Sequence, residues 1–138
     1  MSSELKQTHY LNVDLDIYSK SDLRPLVVTL GKKVSVLFVG REKRSYSTHL
    51  ELMGHRNADS TIRGLCALIQ SLPPAERKLW SQAKVREFNI GVQGAARPTS
   101  YEITLKEETV KATAELGARI GVTIYGRLKK APRSLQST

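Results

Sequence analysis

Apolar and polar residues alternate most clearly over residues 11–17, where the sequence reads LNVDLDI. A period of two is typical of a β-strand with one buried and one exposed face. Alternation of the same kind predicts five further strands, near residues 34–38, 46–52, 88–92, 101–105 and 120–124. The segments near 34–38 and 46–52 are separated by a short polar loop, which predicts a β-hairpin.

Helical spacing is clearest after Asn57 and Asp59, either of which can cap a helix N-terminus. The apolar residues that follow have the spacing of one helix face, and they are Ile62, Leu65, Cys66, Ile69 and Leu72. Further helical segments are predicted near residues 25–30, 75–83 and 104–116, the last with Thr104 and Glu107 as a capping box. We expect an α+β fold, in which about three helices pack on one face of a largely antiparallel sheet of about six strands.

Two parts of the chain share the same predicted order of elements, which is strand, helix, strand. Aligning Leu30-Gly31 with Leu116-Gly117 places Ile17 on Ile103 and Gly40 on Gly126 without a gap. Each glycine can end a regular element because it tolerates backbone conformations that other residues disfavour. The alignment has two interpretations. The two parts are copies of one duplicated unit, or they are unrelated units that have similar residues because they contain the same order of elements.

Length and composition are those of a single domain. The chain has 138 residues, one cysteine and no apolar run of membrane-spanning length. We expect one domain over residues 1–126, followed by a basic, disordered tail over residues 127–138. Because the N-terminus lacks the apolar core of a signal peptide, a cytoplasmic location is expected.

The last part of the predicted domain carries a resemblance to a known family. The stretches ITLKEETV (103–110) and ELGARIGVTIY (115–125) resemble the C-terminal end of a bacterial family of small uncharacterised domains. The opening strand and the Leu72-Pro73 turn are similar as well, so the resemblance spans most of residues 10–126. It implies an α+β sandwich and brings no assigned activity.

Alternation also predicts which polar side chains share a face of the sheet. If the helices cover the apolar face, the opposite face is open to solvent or to a partner. The candidate partner-binding residues on it are Asn12, Asp14, Asp16, His49, Glu51 and Tyr125. The alternative interpretation is a solvated face with scattered cross-strand ion pairs.

Enzymatic chemistry has little support in the sequence. Asp14 and Asp16 lie roughly 7 Å apart along one strand, so with His49 and Glu51 they could form an oxygen-rich metal site of a hydrolase. No phosphate-binding loop, dinucleotide fingerprint, nucleophile elbow or zinc spacing occurs. We therefore expect no enzyme, no cofactor and no resident metal.

The chain is basic, with a formal net charge of +9 from 22 Lys and Arg against 13 Asp and Glu. Such a balance favours acidic partners, including nucleic acids. The candidate polyanion-binding residues are Arg41, Lys43 and Arg44 in one loop and Lys129 and Lys130 in the tail. The acidic residues of the open sheet face would repel a nucleic acid laid across the sheet.

These observations favour a non-catalytic protein-interaction module that uses its open polar sheet face. Its partner would be another protein or a second copy of the chain, joined through a sheet face or edge. The alternative function is binding of nucleic acid or another polyanion through the basic loop and tail.

Overall fold

A computed structural model of the protein describes residues 7–54 and 57–126. Within these ranges the chain forms five strands and four α-helices. Their order is β1 (His9–Ser19), α1 (Arg24–Leu30), β2 (Val34–Glu42), β3 (Ser45–Leu52), α2 (Ala58–Gln70), α3 (Pro74–Gln82), β4 (Val85–Gln93), α4 (Glu107–Glu115) and β5 (Arg119–Tyr125). A single 3-10 turn over Gly31–Lys33 joins α1 to β2.

The five strands form one mixed sheet in the order β2-β3-β1-β4-β5. Strand β1 lies at the centre and pairs antiparallel with both β3 and β4, and β2 pairs antiparallel with β3. Strand β5 runs parallel to β4. The α+β class is confirmed, while the predicted six strands and three helices become five strands and four helices, with one parallel pair.

One face of the sheet supplies the floor of the core. Val13, Leu15 and Ile17 of β1 are at most 1% exposed, and Phe88 and Ile90 of β4 continue the same surface. All four helices contribute side chains to the single apolar cluster on this face. The alternation in β1 therefore separates a buried apolar side from a polar side, as its sequence predicts.

Helix α2 is the central helix of the covering layer. Its N-cap is Asn57, whose Oδ1 accepts the backbone N–H of Ser60 at 2.8 Å. The predicted apolar stripe is buried, including the single cysteine, Cys66. A capped N-terminus and one continuous apolar face together explain why this segment is helical.

The predicted strand near residues 101–105 is wrong. This segment has no regular secondary structure, and its apolar residues Ile103 and Leu105 pack against the core without joining the sheet. The position beside β4 is taken by β5. The segment is bonded instead to α2, because Lys106 N–H donates to Asp59 at 2.8 Å. Helix α4 follows with Lys106 as its N-cap, so the predicted capping box at Thr104 does not form.

Strand β2 contains a bulge that changes which face its later residues occupy. The register with β3 shifts between Val36 and Phe38, so Phe38 is opposite His49 instead of lying over the core. The hydroxyl of Thr48 donates to the Phe38 carbonyl at 2.7 Å, which satisfies a backbone group at the irregularity. An extra residue in a strand reverses the facing of all residues after it.

The two segments that were predicted to share a strand, helix, strand order are only partly alike in the structure. In each, a leucine that is the last residue of the helix (Leu30) or its C-cap (Leu116) is followed by a glycine of positive φ, +64° at Gly31 and +71° at Gly117. Each segment then continues into an edge strand. The preceding segments differ, because one is the central strand β1 and the other is the irregular segment at 101–105. The likeness is therefore limited to the helix, the glycine turn and the edge strand.

None of the helices in the described ranges combines the length and apolar character required to cross a bilayer. The predicted disordered tail, residues 127–138, lies outside the described residues.

Candidate functional site

The face of the sheet opposite the four helices is the candidate site, and we call it the open face. Strand pairing arranges its side chains in rows across the sheet. In one row Asp14 lies between Glu51 of β3 and Asn89 of β4. In the next row Asp16 lies between His49 and Glu87. The structure thus brings together five of the predicted site residues, Asn12, Asp14, Asp16, His49 and Glu51.

Four carboxylates, which we call the carboxylate cluster, occupy the middle of the open face. They are Asp14, Asp16, Glu51 and Glu87. Two of them have a nearby cationic or imidazole partner, because His49 Nδ1 lies 2.7 Å from Asp16 and Arg119 Nε lies 2.7 Å from Glu87. Neither partner separates Asp14 from Glu51, so this pair of like charges remains adjacent.

The amide of Asn12 holds the crowded pair in place. Its Nδ2 donates to Asp14 at 3.1 Å and also to Glu51. The side chain of Asn12 has room to lie across β4 because its neighbour there is Gly91, where a Cβ would come within 2.8 Å of the Asn12 Oδ1. A glycine inside a strand often marks such a close approach.

Crowding changes the acidity of Asp14. Partial burial, followed by the negative charge of Glu51 and a hydrogen bond with it, raises the pKa of the Asp14 carboxyl to about 6. Burial disfavours the charged form of a carboxyl group, and an adjacent carboxylate does so as well. At neutral pH the open face therefore keeps a carboxylate whose ionisation is unfavourable in the absence of a nearby cation.

Aromatic side chains border the carboxylate cluster on the side of β2. The rings of Tyr18 and His49 meet edge to face at 5.7 Å between centroids, and the ring of Phe38 lies 6.1 Å from His49. Tyr18 and Phe38 remain 37% and 39% exposed. The open face therefore offers apolar contact area next to negative charge.

Tyr125, the sixth predicted site residue, lies at the other side of the open face on β5. It lines a shallow depression of about 690 Å³ together with Asn12, Asp14 and Gln93. Its side chain is half exposed. The depression connects Tyr125 to the carboxylate cluster, so all six predicted residues belong to one surface.

Within residues 7–54 and 57–126, no three of the His, Cys, Asp and Glu side chains converge in a way that could hold a metal ion. The carboxylates lie along strands, and their amide, imidazole and guanidinium neighbours occupy positions between them.

Of the predicted polyanion-binding residues, Arg41 lies near the end of β2, and Lys43 and Arg44 form the exposed turn between β2 and β3. Arg41 donates to the Lys43 carbonyl at 3.2 Å and its guanidinium lies 5.9 Å from the Tyr46 ring centroid. The other two, Lys129 and Lys130, lie outside the described residues.

The open face also contains Tyr18, Phe38 and Glu87, which were not among the predicted site residues. Tyr18 and Glu87 were missed because β1 and β4 extend one or more residues beyond the alternation that predicted them. Phe38 was missed because the bulge in β2 has no signal in the local alternation. Gly40 is a partial signal, since a Cβ there would lie 3.3 Å from the Phe38 ring.

The comparisons with known proteins give no relative. No protein-family model matches the chain, and we found no match among the curated proteins or the solved structures. The resemblance to a bacterial family of small domains therefore remains an expectation from the sequence.

Replacing Asp14 tests the electrostatic cost of the cluster. The folded-state pKa of about 6 lies above the ordinary value of 3.8, so the penalty is absent below the ordinary value and complete above the folded-state value. We expect Asp14→Asn to raise the free energy of unfolding by about 1 kcal/mol at about pH 7.5, because water screens a partly buried carboxylate. The gain should vanish towards about pH 4.

Urea denaturation at both pH values measures this effect. Glu115→Gln, at an exposed position on α4, is the control for loss of one negative charge from a basic protein. A gain for Asp14→Asn that is independent of pH, or equal to that of the control, would show that the cluster carries no such penalty.

Proposed function

We propose that the open face binds a protein segment that presents arginine or lysine side chains. The observation that carries this proposal is the carboxylate cluster on the sheet face opposite the four helices. Within residues 7–54 and 57–126, no cation lies between the adjacent like charges of Asp14 and Glu51. A cationic side chain placed between Asp14 and Glu51 would relieve their repulsion. The protein would then act as a non-catalytic interaction module.

Charge complementarity supports this choice of partner. The chain as a whole has a formal net charge of +9, which opposes the approach of basic molecules at long range. The carboxylate cluster is the region where a basic segment would be attracted. Complementary charge of this kind accelerates association and selects among partners.

The aromatic border supports a protein segment over a small cation. Tyr18 and Phe38 are held by the sheet and leave about two-fifths of their surface exposed. Arginine side chains stack on aromatic rings while they pair with carboxylates, so both parts of the surface suit one kind of partner. Because these side chains project from paired strands, little conformational entropy is lost on binding.

A peptide titration followed by NMR tests the proposal. The probe is a capped peptide of alternating arginine and glycine residues, added to the isotope-labelled protein at low ionic strength. We expect amide shifts to change at β1, β3 and β4, around Asp14, Glu51 and Glu87, and the affinity to rise between about pH 5 and about pH 7.5 as Asp14 ionises.

Two charge-matched variants decide the outcome. Removing three cluster charges with Asp14→Asn, Glu51→Gln and Glu87→Gln should weaken binding about tenfold or more. The control removes three exposed charges elsewhere, with Glu102→Gln, Glu107→Gln and Glu115→Gln. Equal weakening in the two variants, or shifts centred on α4, would contradict the proposal.

A second candidate function rests on a different part of the structure. The register places the end of β1 next to the starts of β3 and β4, and Lys84 N–H donates to the Tyr18 carbonyl at 2.7 Å. Exposed Lys20, Arg44 and Lys84 are therefore collected at one end of the sheet. We propose this end as a contact for nucleic acid or another polyanion.

Duplex DNA with a fluorescent label tests the second candidate. We expect Lys43→Asn with Arg44→Ser to weaken binding severalfold and to reduce the slope of log affinity against log salt by up to about 2. Asparagine suits position 43 because Lys43 has a φ of +55°. Lys32→Ser with Lys33→Ser, at the exposed turn between α1 and β2, is the charge-matched control, and an equal loss there would reject a defined contact.

A further inference from the structure

Strand β5 is the free edge of the sheet beside β4. Gly94 N–H donates to the Tyr125 carbonyl at 2.8 Å, so the backbone groups of Tyr125 are directed towards β4. Backbone groups of successive residues in a strand are directed to alternate sides. The N–H and C=O groups of Ile120, Val122 and Ile124 are therefore directed outwards, where no strand of the described residues pairs with them.

The two edges of the sheet differ in how well they resist pairing with another strand. At one edge, β2 is interrupted by the bulge at Leu37 and ends with the charged pair Arg41 and Glu42. At the other edge, β5 has seven residues without a bulge, and its single charged residue is Arg119. Bulges and charges are the usual protection of an edge strand, so β5 is the edge that can accept a partner.

The side chains of β5 on the helix-facing side are incompletely covered. Val122 and Ile124 are 59% and 68% exposed. Both line an apolar groove of about 530 Å³, together with Ile103, Leu105 and Ile120. An apolar strip along an unprotected edge offers burial as well as hydrogen bonds to an added strand.

We propose that β5 pairs antiparallel with β5 of a second copy of this chain, about a two-fold axis through Val122. In this arrangement Val122 lies opposite Val122 of the partner subunit, and Ile120 lies opposite Ile124 of the partner subunit. All three residues have outward backbone groups, so each facing pair exchanges both of its hydrogen bonds. The same register aligns the apolar side chains of the two strands on the helix-facing side.

Charge is compatible with a second copy as the occupant. In the antiparallel register the two Arg119 residues lie at opposite ends of the paired β5 strands, roughly 20 Å apart. Each guanidinium is paired with Glu87 of its own subunit at 2.7 Å, so its charge is partly balanced within each copy. No like charges face each other within the strand pair, whereas the net charge of +9 opposes association over longer distances.

The area buried between the two β5 strands limits the affinity of the dimer. One pair of seven-residue strands lies at the small end of specific interfaces, which bury roughly 1,200 Å² or more in total. We therefore expect a dissociation constant on the order of 100 µM at physiological salt. Added salt should strengthen the dimer by screening the net charge, whereas binding of a basic segment to the open face should weaken.

Sedimentation equilibrium at rising protein concentration tests the dimer. We expect Val122→Lys to weaken association at least tenfold, because the positive charges at position 122 of the two subunits would face each other. Val36→Lys makes the same change at the half-exposed position on the other edge and should leave association unchanged. A protein that stays monomeric at several times the expected dissociation constant overturns the proposal, and so does a larger effect of Val36→Lys.

A cross-linking experiment provides a readout that does not depend on the strength of association. Facing Cα atoms in a hydrogen-bonded antiparallel pair lie about 5.5 Å apart, within the range of disulfide geometry. We expect Val122→Cys to form an intermolecular disulfide at least tenfold faster than Val110→Cys, which is similarly exposed on α4. Cys66 is buried and should not interfere. Equal rates for the two variants overturn the register.

Amide hydrogen exchange distinguishes pairing of β5 with a second copy from coverage of β5 by another part of the same chain. Slow exchange of the Ile120, Val122 and Ile124 amides in a monomeric sample would show that another part of the chain covers the edge, which overturns the proposal. In a dimeric sample, slow exchange of these three amides with loss of protection on dilution supports it. Binding of the arginine peptide to the Val122→Lys variant tests the proposed function separately.

Discussion

Strand β1 is the constraint on which the rest of the structure depends. It lies at the centre of the sheet, and it pairs with β4 along most of its length and with β3 from Asp14 to Ser19. Because its residues alternate, Val13, Leu15 and Ile17 form the floor of the core while Asp14 and Asp16 are directed to the other face. A shift of one residue in its register would place two aspartates in the core, so the alternation fixes the pairing as well as the faces.

The same register that builds the core crowds the carboxylates. Asp14 is opposite Glu51, and Asp16 is next to Glu87, since each lies at the centre of a row of paired strands. His49 pairs with Asp16 and Arg119 pairs with Glu87, whereas Asp14 and Glu51 are bonded by the neutral amide of Asn12. The open face is therefore hydrogen-bonded within itself, while Asp14 and Glu51 remain adjacent carboxylates whose repulsion raises the pKa of Asp14.

The two proposed surfaces are compatible with each other. An antiparallel joint through β5 would continue the sheet into the second copy, with both open faces on the same side. A dimer would then present two carboxylate clusters to one basic partner. Two weak contacts joined in this way bind more tightly than either alone, so weak self-association would raise the affinity for a partner with repeated basic segments.

The sequence predicted the class of the fold, the alternation of β1, the stripe of α2 and the six residues gathered on the open face. These features depend on local periodicity, which the chain carries directly. The strand near residues 101–105 was wrong because periodicity cannot tell a paired strand from an extended segment that packs on the core. Phe38 was missed because the bulge in β2 depends on pairing with the partner strand. The parallel direction of β5 depends on how α4 crosses the sheet.

The pKa of the Asp14 carboxyl tests the central claim most directly, because it reports both the facing of β1 and the crowding by Glu51. It can be measured by following the side-chain carboxyl carbon of Asp14 by NMR during an acid titration. The account predicts a midpoint at about 6, with a fall towards the ordinary value in Glu51→Gln. A midpoint near 3.8 in the unaltered protein would contradict it.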